Sequence, residues 1–223
     1  FPEELGGVPA DPWTTILVAE ELARSGSGGL TAGLMSHAIG LPPIVALGSD
    51  ELKQRVVPPV IRGEVIAALA VTEPGGGSDV ANLKTTAVRD GDHYVVNGEK
   101  VFITSGMRAG LLTVAVRTGD PGLGGISILA VEGQPAGLER VEMKKMGWWA
   151  SDTATLRFDN VRVPVENLVG QENAGFMGLM ANFNNERLML AAIAWAFGKV
   201  AYEEALEWAH ERQTFGKPLI KRQ

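Results

Sequence analysis

Two stretches of this sequence gather residue types that could do chemistry. The first is Val71-Thr72-Glu73-Pro74-Gly75-Gly76-Gly77-Ser78-Asp79-Val80. Three consecutive glycines let a backbone approach a ligand closely, and their N–H groups can cradle an anion. Thr72 and Ser78 place a hydroxyl at each end. No Gly-Lys-Ser/Thr follows, so this is not a P-loop. The same composition also describes a flexible turn between two structural units.

The second stretch is Glu186-Arg187, inside a long segment of helical apolar period. Glu186 falls on the stripe of Phe183, Leu190, Ile193 and Phe197; Arg187 falls on the neighbouring line of Met180, Ala191, Ala194 and Gly198. An acid and a base interrupting apolar lines are costly unless paired or used. Two readings stand side by side. One is a buried salt bridge between helices; the other is a carboxylate base in a dry pocket, where desolvation raises its proton affinity.

Composition narrows the remaining chemistry. There is no cysteine, which removes thiolate nucleophiles, disulfides and zinc–thiolate sites together. The three histidines, His37, His93 and His210, are far apart, so no metal site is expected. Twenty Lys and Arg against 26 Asp and Glu give a net charge of −6, without a strongly basic block, which argues against nucleic-acid binding. A hydrophobic share of 45% points to a globular protein with a sizeable core, and the absence of a long unbroken apolar run argues against a membrane span. The chemistry falls to carboxylates or to a borrowed cofactor. Trp148-Trp149 is expected as hydrophobic cover on a turn or as a ligand wall, and Arg212 to Lys217 as the capped end of a helix.

Three blocks of elements must position these residues. Residues 1–66 read as helical. Asp11-Pro12 is an N-cap and first-turn pair, Ser25 to Gly29 ends that helix, and a second runs from Leu30 to Ile39 until Pro42-Pro43. A short helix starts at Asp50 and is expected to close at Pro58-Pro59. Residues 67–167 read as strands. Asp90-Gly91 and Asn97-Gly98 are hairpin signals of the type I′ kind, with strands at Tyr94 to Val96, Val101 to Thr104, Leu111 to Val116, Ile126 to Val131 and Thr153 to Val163. Short strands with frequent turns predict an antiparallel barrel or sandwich. From about 174 to 211 a single helix roughly 57 Å long is predicted. Phe1 in place of Met, and a polar basic stretch before Gln223, suggest a fragment of something longer.

Taken in order, several motifs together resemble the acyl-CoA dehydrogenase family: Val71 to Val80, Asn97-Gly98-Glu99-Lys100, Phe102 to Gly106, Lys145-Met146-Gly147, Ser151-Asp152-Thr153, Phe158 to Val161, Val163-Pro164, Glu186-Arg187 and Arg212 to Gly216. The likeness is collinear from Pro2 to Gln223. It implies an α+β multidomain fold. Residues 1–66 would be part of an N-terminal helical domain, 67–167 a middle antiparallel β-barrel or sandwich, and 168–223 the start of a C-terminal four-helix bundle. Relative to the family pattern, the first helices and the second half of the C-terminal domain are missing.

The resemblance also implies a site. Its FAD-binding positions fall on Leu69, Ala70, Val71, Thr72 and Ser78, on Phe102, Ile103 and Thr104 over the flavin ring, and on Arg212, Thr214 and Gln223 across a subunit interface. Members often carry Trp where this chain has Phe102. Ser78, Asn184 and Arg187 match acyl-CoA-contacting positions, with Asp in several members in place of Asn184. Most members place the catalytic Glu in a later segment; a minority similar to isovaleryl-CoA and long-chain acyl-CoA dehydrogenases place it where Glu186 stands. The implied activity is α,β-dehydrogenation of a fatty acyl-CoA to the trans-2-enoyl-CoA, in β-oxidation. Electrons would pass to an electron-transferring flavoprotein, from a homotetramer or homodimer in a bacterial cytoplasm or, in a eukaryote, the mitochondrial matrix. The alternatives are an acyl-CoA oxidase or other flavin enzyme on the same fold, and a non-catalytic fragment without flavin.

Overall fold

In the computed structural model, which describes residues 1–222, local rules fix the first helices. Helix α1 (Pro12–Ala23) opens with Pro12 at a position that needs no N–H, and Asp11 accepts from the Thr14 N–H at 2.7 Å. Ser27 caps α2 (Gly28–Met35), which a single residue separates from α3 (His37–Gly40). The predicted Leu30 to Ile39 helix is therefore two short ones. Pro42-Pro43 does not only stop a helix. Pro42 begins α4 (Pro42–Leu47). Ser49 caps α5 (Asp50–Ile61), which runs past Pro58-Pro59 instead of closing there. Proline loses a donor but keeps its acceptor: the Pro58 and Pro59 carbonyls still take the N–H groups of Arg62 and Glu64.

The middle block is one seven-stranded sheet. Its strands are β1 (Ala67–Ala70), β2 (Thr86–Asp90), β3 (His93–Thr104), β4 (Leu111–Arg117), β5 (Ile126–Glu132), β6 (Leu138–Glu142) and β7 (Thr153–Pro164). The order is β1-β4-β2-β3-β7-β6, with β5 also on β4. Pairing is antiparallel except at β4, which β1 joins in parallel and β2 touches in parallel at one residue pair. The four-residue β1 enters from α5, and the chain makes a long excursion before β4 lies beside it.

The two predicted turns behave differently. Asp90 pairs with His93, so the hairpin loop is Gly91-Asp92, with only Gly91 at positive φ (62°). Asn97-Gly98 is not a turn at all. Strand β3 continues through it, and the register against β7 shifts between Val96 and Gly98, a β-bulge. Gly98 sits at φ 146°, and a Cβ there would lie 2.6 Å from the Thr85 hydroxyl oxygen. Asn97 accepts from the Asn160 N–H at 2.8 Å instead of shaping a hairpin.

The long helix α6 (Gly175–Glu211) follows. Its first turns pack on the sheet and α4, where Gly175 and Gly178 allow close approach to Ile128 and Leu47. Its middle packs Met189, Ile193 and Ala196 against Ala19 and Ala23 of α1. Met189 and Ile193 each contribute about 1.5–3 kcal/mol when fully buried, the alanines less. Beyond them Tyr202 and Trp208 are exposed. The helix ends at Glu211, and β8 (Gln213–Thr214) pairs with β9 (Lys217–Pro218). Gly216 is thus in a hairpin turn with Phe215, both at positive φ, and not in the expected helix cap.

Candidate functional site

Glu186 lies where α6 crosses from the sheet onto α1, and it lines a cleft of about 180 Å³. Leu69, Val71 and Thr72, from β1 and the residues after it, form one wall. Phe102, Ile103 and Thr104, the end of β3, form the second, and Ser36, Ile39 and Phe183 complete the lining. A larger cleft of about 480 Å³ opens beside Gly28, Trp148, Trp149 and Phe197, but no titratable side chain lines it.

The β3 wall is built by a second bulge. Lys100 pairs with Leu156 and Ile103 with Ala154, so Val101 and Phe102 together oppose one residue of β7. Such a bulge re-aims a side chain. Phe102 is driven to φ 60° and left 66% exposed at the cleft. A bulky residue held in the left-handed region costs about 1–3 kcal/mol. Ser105, also at positive φ, has a buried hydroxyl without a hydrogen-bond partner among the described residues.

The β1 wall is held by groups that sequence reasoning missed. Thr72 gives its carbonyl to the Val101 N–H at 2.9 Å. The fully buried Lys100 donates to the Val71 carbonyl at 3.0 Å and to Glu73 Oε1 at 2.8 Å. Glu73 also accepts from the backbone N–H groups of Lys84 (2.6 Å) and Thr85 (2.9 Å). Burial pulls Lys100 down to about 8, with Glu73 opposing the shift. A signal was present. Tyr94, Val96 and Lys100 lie on the inward side of β3, and an inward lysine requires a carboxylate.

Glu186 is half-buried, and among the described residues no cation lies within salt-bridge distance of it. Among the described residues neither Glu186 nor Arg187 forms a salt bridge. Arg187 is exposed and donates to Asn184 Oδ1 at 2.9 Å. Consecutive helical residues point about 100° apart, so only one of the two faces the cleft. Burial pushes the Glu186 carboxyl up to about 6, and Arg187 only partly offsets this. The packed line of α6 is Leu179, Asn182, Met189, Ile193 and Ala196, a slightly rotated version of the predicted stripe, with Leu190 left 46% exposed.

Seven expected site residues therefore meet in one cleft: Leu69, Val71, Thr72, Phe102, Ile103, Thr104 and Glu186. Ala70 does not join them. Strand alternation turns it into the core on the other sheet face, where it is fully buried. Ser78 is exposed on the glycine loop and lines none of this cleft, and Asn184 and Arg187 are exposed on α6. Arg212 and Thr214 lie at the far end of α6, where Thr214 accepts from Arg222. Gln223 lies outside the described residues.

Three family models match the chain in order: the acyl-CoA dehydrogenase N-terminal domain over residues 1–64, the middle domain over 68–161 and the C-terminal domain over 173–223. An acyl-CoA dehydrogenase of Alternaria alternata, AFT10-1, is 43% identical over 222 residues, 98% of this chain and 51% of that protein. The chain belongs to the acyl-CoA dehydrogenase family. The crystal structure of a probable acyl-CoA dehydrogenase from Mycobacterium abscessus superposes with a TM-score of 0.97 at 52% identity, over 100% of this chain and 60% of that one. An acyl-CoA dehydrogenase from Bacillus anthracis, complexed with FAD, gives 0.92 at 38% identity, over 99% of this chain and 38% of that one. The chain thus carries the family's N-terminal helices, curled middle sheet and the start of its C-terminal helical domain. It spans about half the length of the curated relative just named.

Proposed function

We propose that the protein to which this chain belongs is an FAD-dependent acyl-CoA dehydrogenase with Glu186 as its base. One observation carries the reading: a half-buried carboxylate, pushed up to about 6 by burial and without an ion-pair partner among the described residues, lines the same cleft as Thr72, Phe102 and Thr104. A base poised near neutrality is matched to abstracting a proton from carbon.

The residues present fit a flavin. Phe102 offers a face strained out of its sheet, Leu69, Val71 and Ile103 offer an apolar wall, and Thr72 and Thr104 offer hydroxyls for a polar ring edge. When bound, the flavin accepts the β-hydrogen together with its electron pair. The chain's own part is proton chemistry and order. Glu186 takes the proton on the carbon next to the thioester carbonyl, the Cα–Cβ bond becomes double, and the carboxyl group ends protonated. Partial desolvation keeps Glu186 from binding that proton too weakly. Phe183 and Ile39 line the cleft beside it with apolar surface that limits water.

Asn184 and Arg187 are proposed to meet the acyl-CoA from the exposed side of α6, with Ser78 at the glycine loop, and Arg212, Thr214 and Gln223 to meet FAD of a neighbouring subunit. Electron-transferring flavoprotein as acceptor and a homotetramer follow from the family resemblance. Among the described residues no single helix is long and apolar enough to cross a membrane. Anaerobic titration of the full-length protein with a panel of acyl-CoAs tests the reading: flavin absorbance bleaches with at least one of them, and a protein purified without flavin, and unable to take it up, contradicts it.

A further inference from the structure

Lys100 and Glu73 form a buried ion pair, 0% and 9% exposed, that the proton chemistry does not use. Buried pairs add little net stability, since desolvation offsets their attraction; where they persist, conformational specificity is one recognised return. This pair lies at a place where such specificity has an object. Lys100 stands two residues before Phe102 on β3, and Glu73 immediately follows Thr72. Three consecutive residues of one wall are tied to two consecutive residues of the other. The Val71 carbonyl takes the Lys100 ammonium, the Thr72 carbonyl takes the Val101 N–H, and the Glu73 carboxylate takes the same ammonium. Glu73 is in turn held by the N–H groups of Lys84 and Thr85, so its position follows the chain beyond the glycine loop.

The bulge at Val101-Phe102 makes this tie necessary. Regular ladder pairing fixes a strand's neighbours, and the bulge suspends that pairing where β3 meets the cleft. We infer that Glu73 and Lys100 are positioning residues for the flavin: the pair locks the Thr72 wall to the Phe102 wall at the separation that a flavin ring requires. The inference rests on the flavin reading above. Neither residue touches the reacting atoms, and neither lines the cleft.

The test uses the full-length protein, stripped of flavin and reconstituted with FAD, comparing wild type with Glu73→Gln and with the double variant Glu73→Gln/Lys100→Met. The double variant removes both charges while keeping volume, so the apoprotein should unfold within a few degrees of wild type. Its FAD dissociation constant should rise about tenfold or more, the loss typical when outer-shell support of a ligand site is removed, and the bound flavin's visible absorption band should shift. Should the double variant not fold, Glu73→Gln alone carries the test: leaving Lys100 without its carboxylate lowers the melting temperature, and the folded protein should show the same rise in FAD dissociation constant and the same spectral shift. An FAD affinity within about twofold of wild type, with an unchanged flavin spectrum, overturns the inference and leaves the pair purely structural. Failure of wild type itself to bind FAD is a separate outcome, and it overturns the flavin reading first.

Discussion

Glu186 and Thr72 face one cleft from two segments far apart in the chain, one on the long helix and one just past the first strand. The crossing of α6 over the sheet brings them together. Its first turns are seated by Gly175 against Ile128 and its middle by Met189 and Ile193 against α1. The carboxylate sits between those two anchor points along the helix.

The titration of Glu186 should be visible in stability. Its folded value, about 6, lies above its ordinary 4.5, so the folded state binds the extra proton between these values. The stabilising contribution is complete below about 4.5 and is lost as pH rises through about 6. Glu186→Gln removes this dependence. Its stability relative to wild type should grow by at most about 2 kcal/mol across that window. Urea denaturation of both proteins at several pH values measures the difference, and a pH-independent difference would count against a desolvated Glu186.

The same group should shape activity. With Glu186 as base, kcat/KM of the full-length protein should rise with pH along an acid limb near 6 and then level off. A limb at the ordinary carboxylate value would place the base in a more solvated position.

Phe102 should matter for the ligand and not for the fold. It is 66% exposed and held at φ 60°, so Phe102→Gly removes little packing and relieves about 1–3 kcal/mol of left-handed strain. Thermal melts of the apoprotein should show no loss of stability, while FAD affinity falls. A large drop in melting temperature would show that Phe102 packs in the fold.

Gly98 should be intolerant. At φ 146°, with a Cβ only 2.6–2.8 Å from Thr85 atoms, Gly98→Val meets both backbone strain and a clash. A loss of about 2–4 kcal/mol, or failure to fold, is expected. Retention of wild-type stability would mean the bulge can relax.

Much of this was legible in the sequence because the signals were local. The Asp11-Pro12 cap, the β-favouring runs and the helical period of α6 each depend on neighbours a few residues away. Glu186 was legible for the same reason, as an acid on an apolar stripe. Errors arose where long-range contacts override local preference. Asn97-Gly98 has the composition of a turn, yet Asn160 and Thr85 make it a bulge. Ala70 shares a motif with Val71 but strand parity sends it to the other face. Arg187 falls on an apolar helical line yet is exposed, since helix period measures direction and not the width of the covered face. Glu73 and Lys100 sit on separate elements, and only the folded sheet joins them.

The most direct measurement is anaerobic reduction of the full-length holoprotein by acyl-CoA, comparing wild type with Glu186→Gln in a stopped-flow instrument. The amide keeps the shape of the cleft and removes the proton acceptor. The account predicts that FAD and acyl-CoA still bind while the rate of flavin reduction falls by about 10²–10⁴-fold. A loss below about tenfold would contradict it, and would move the base to another residue of the protein.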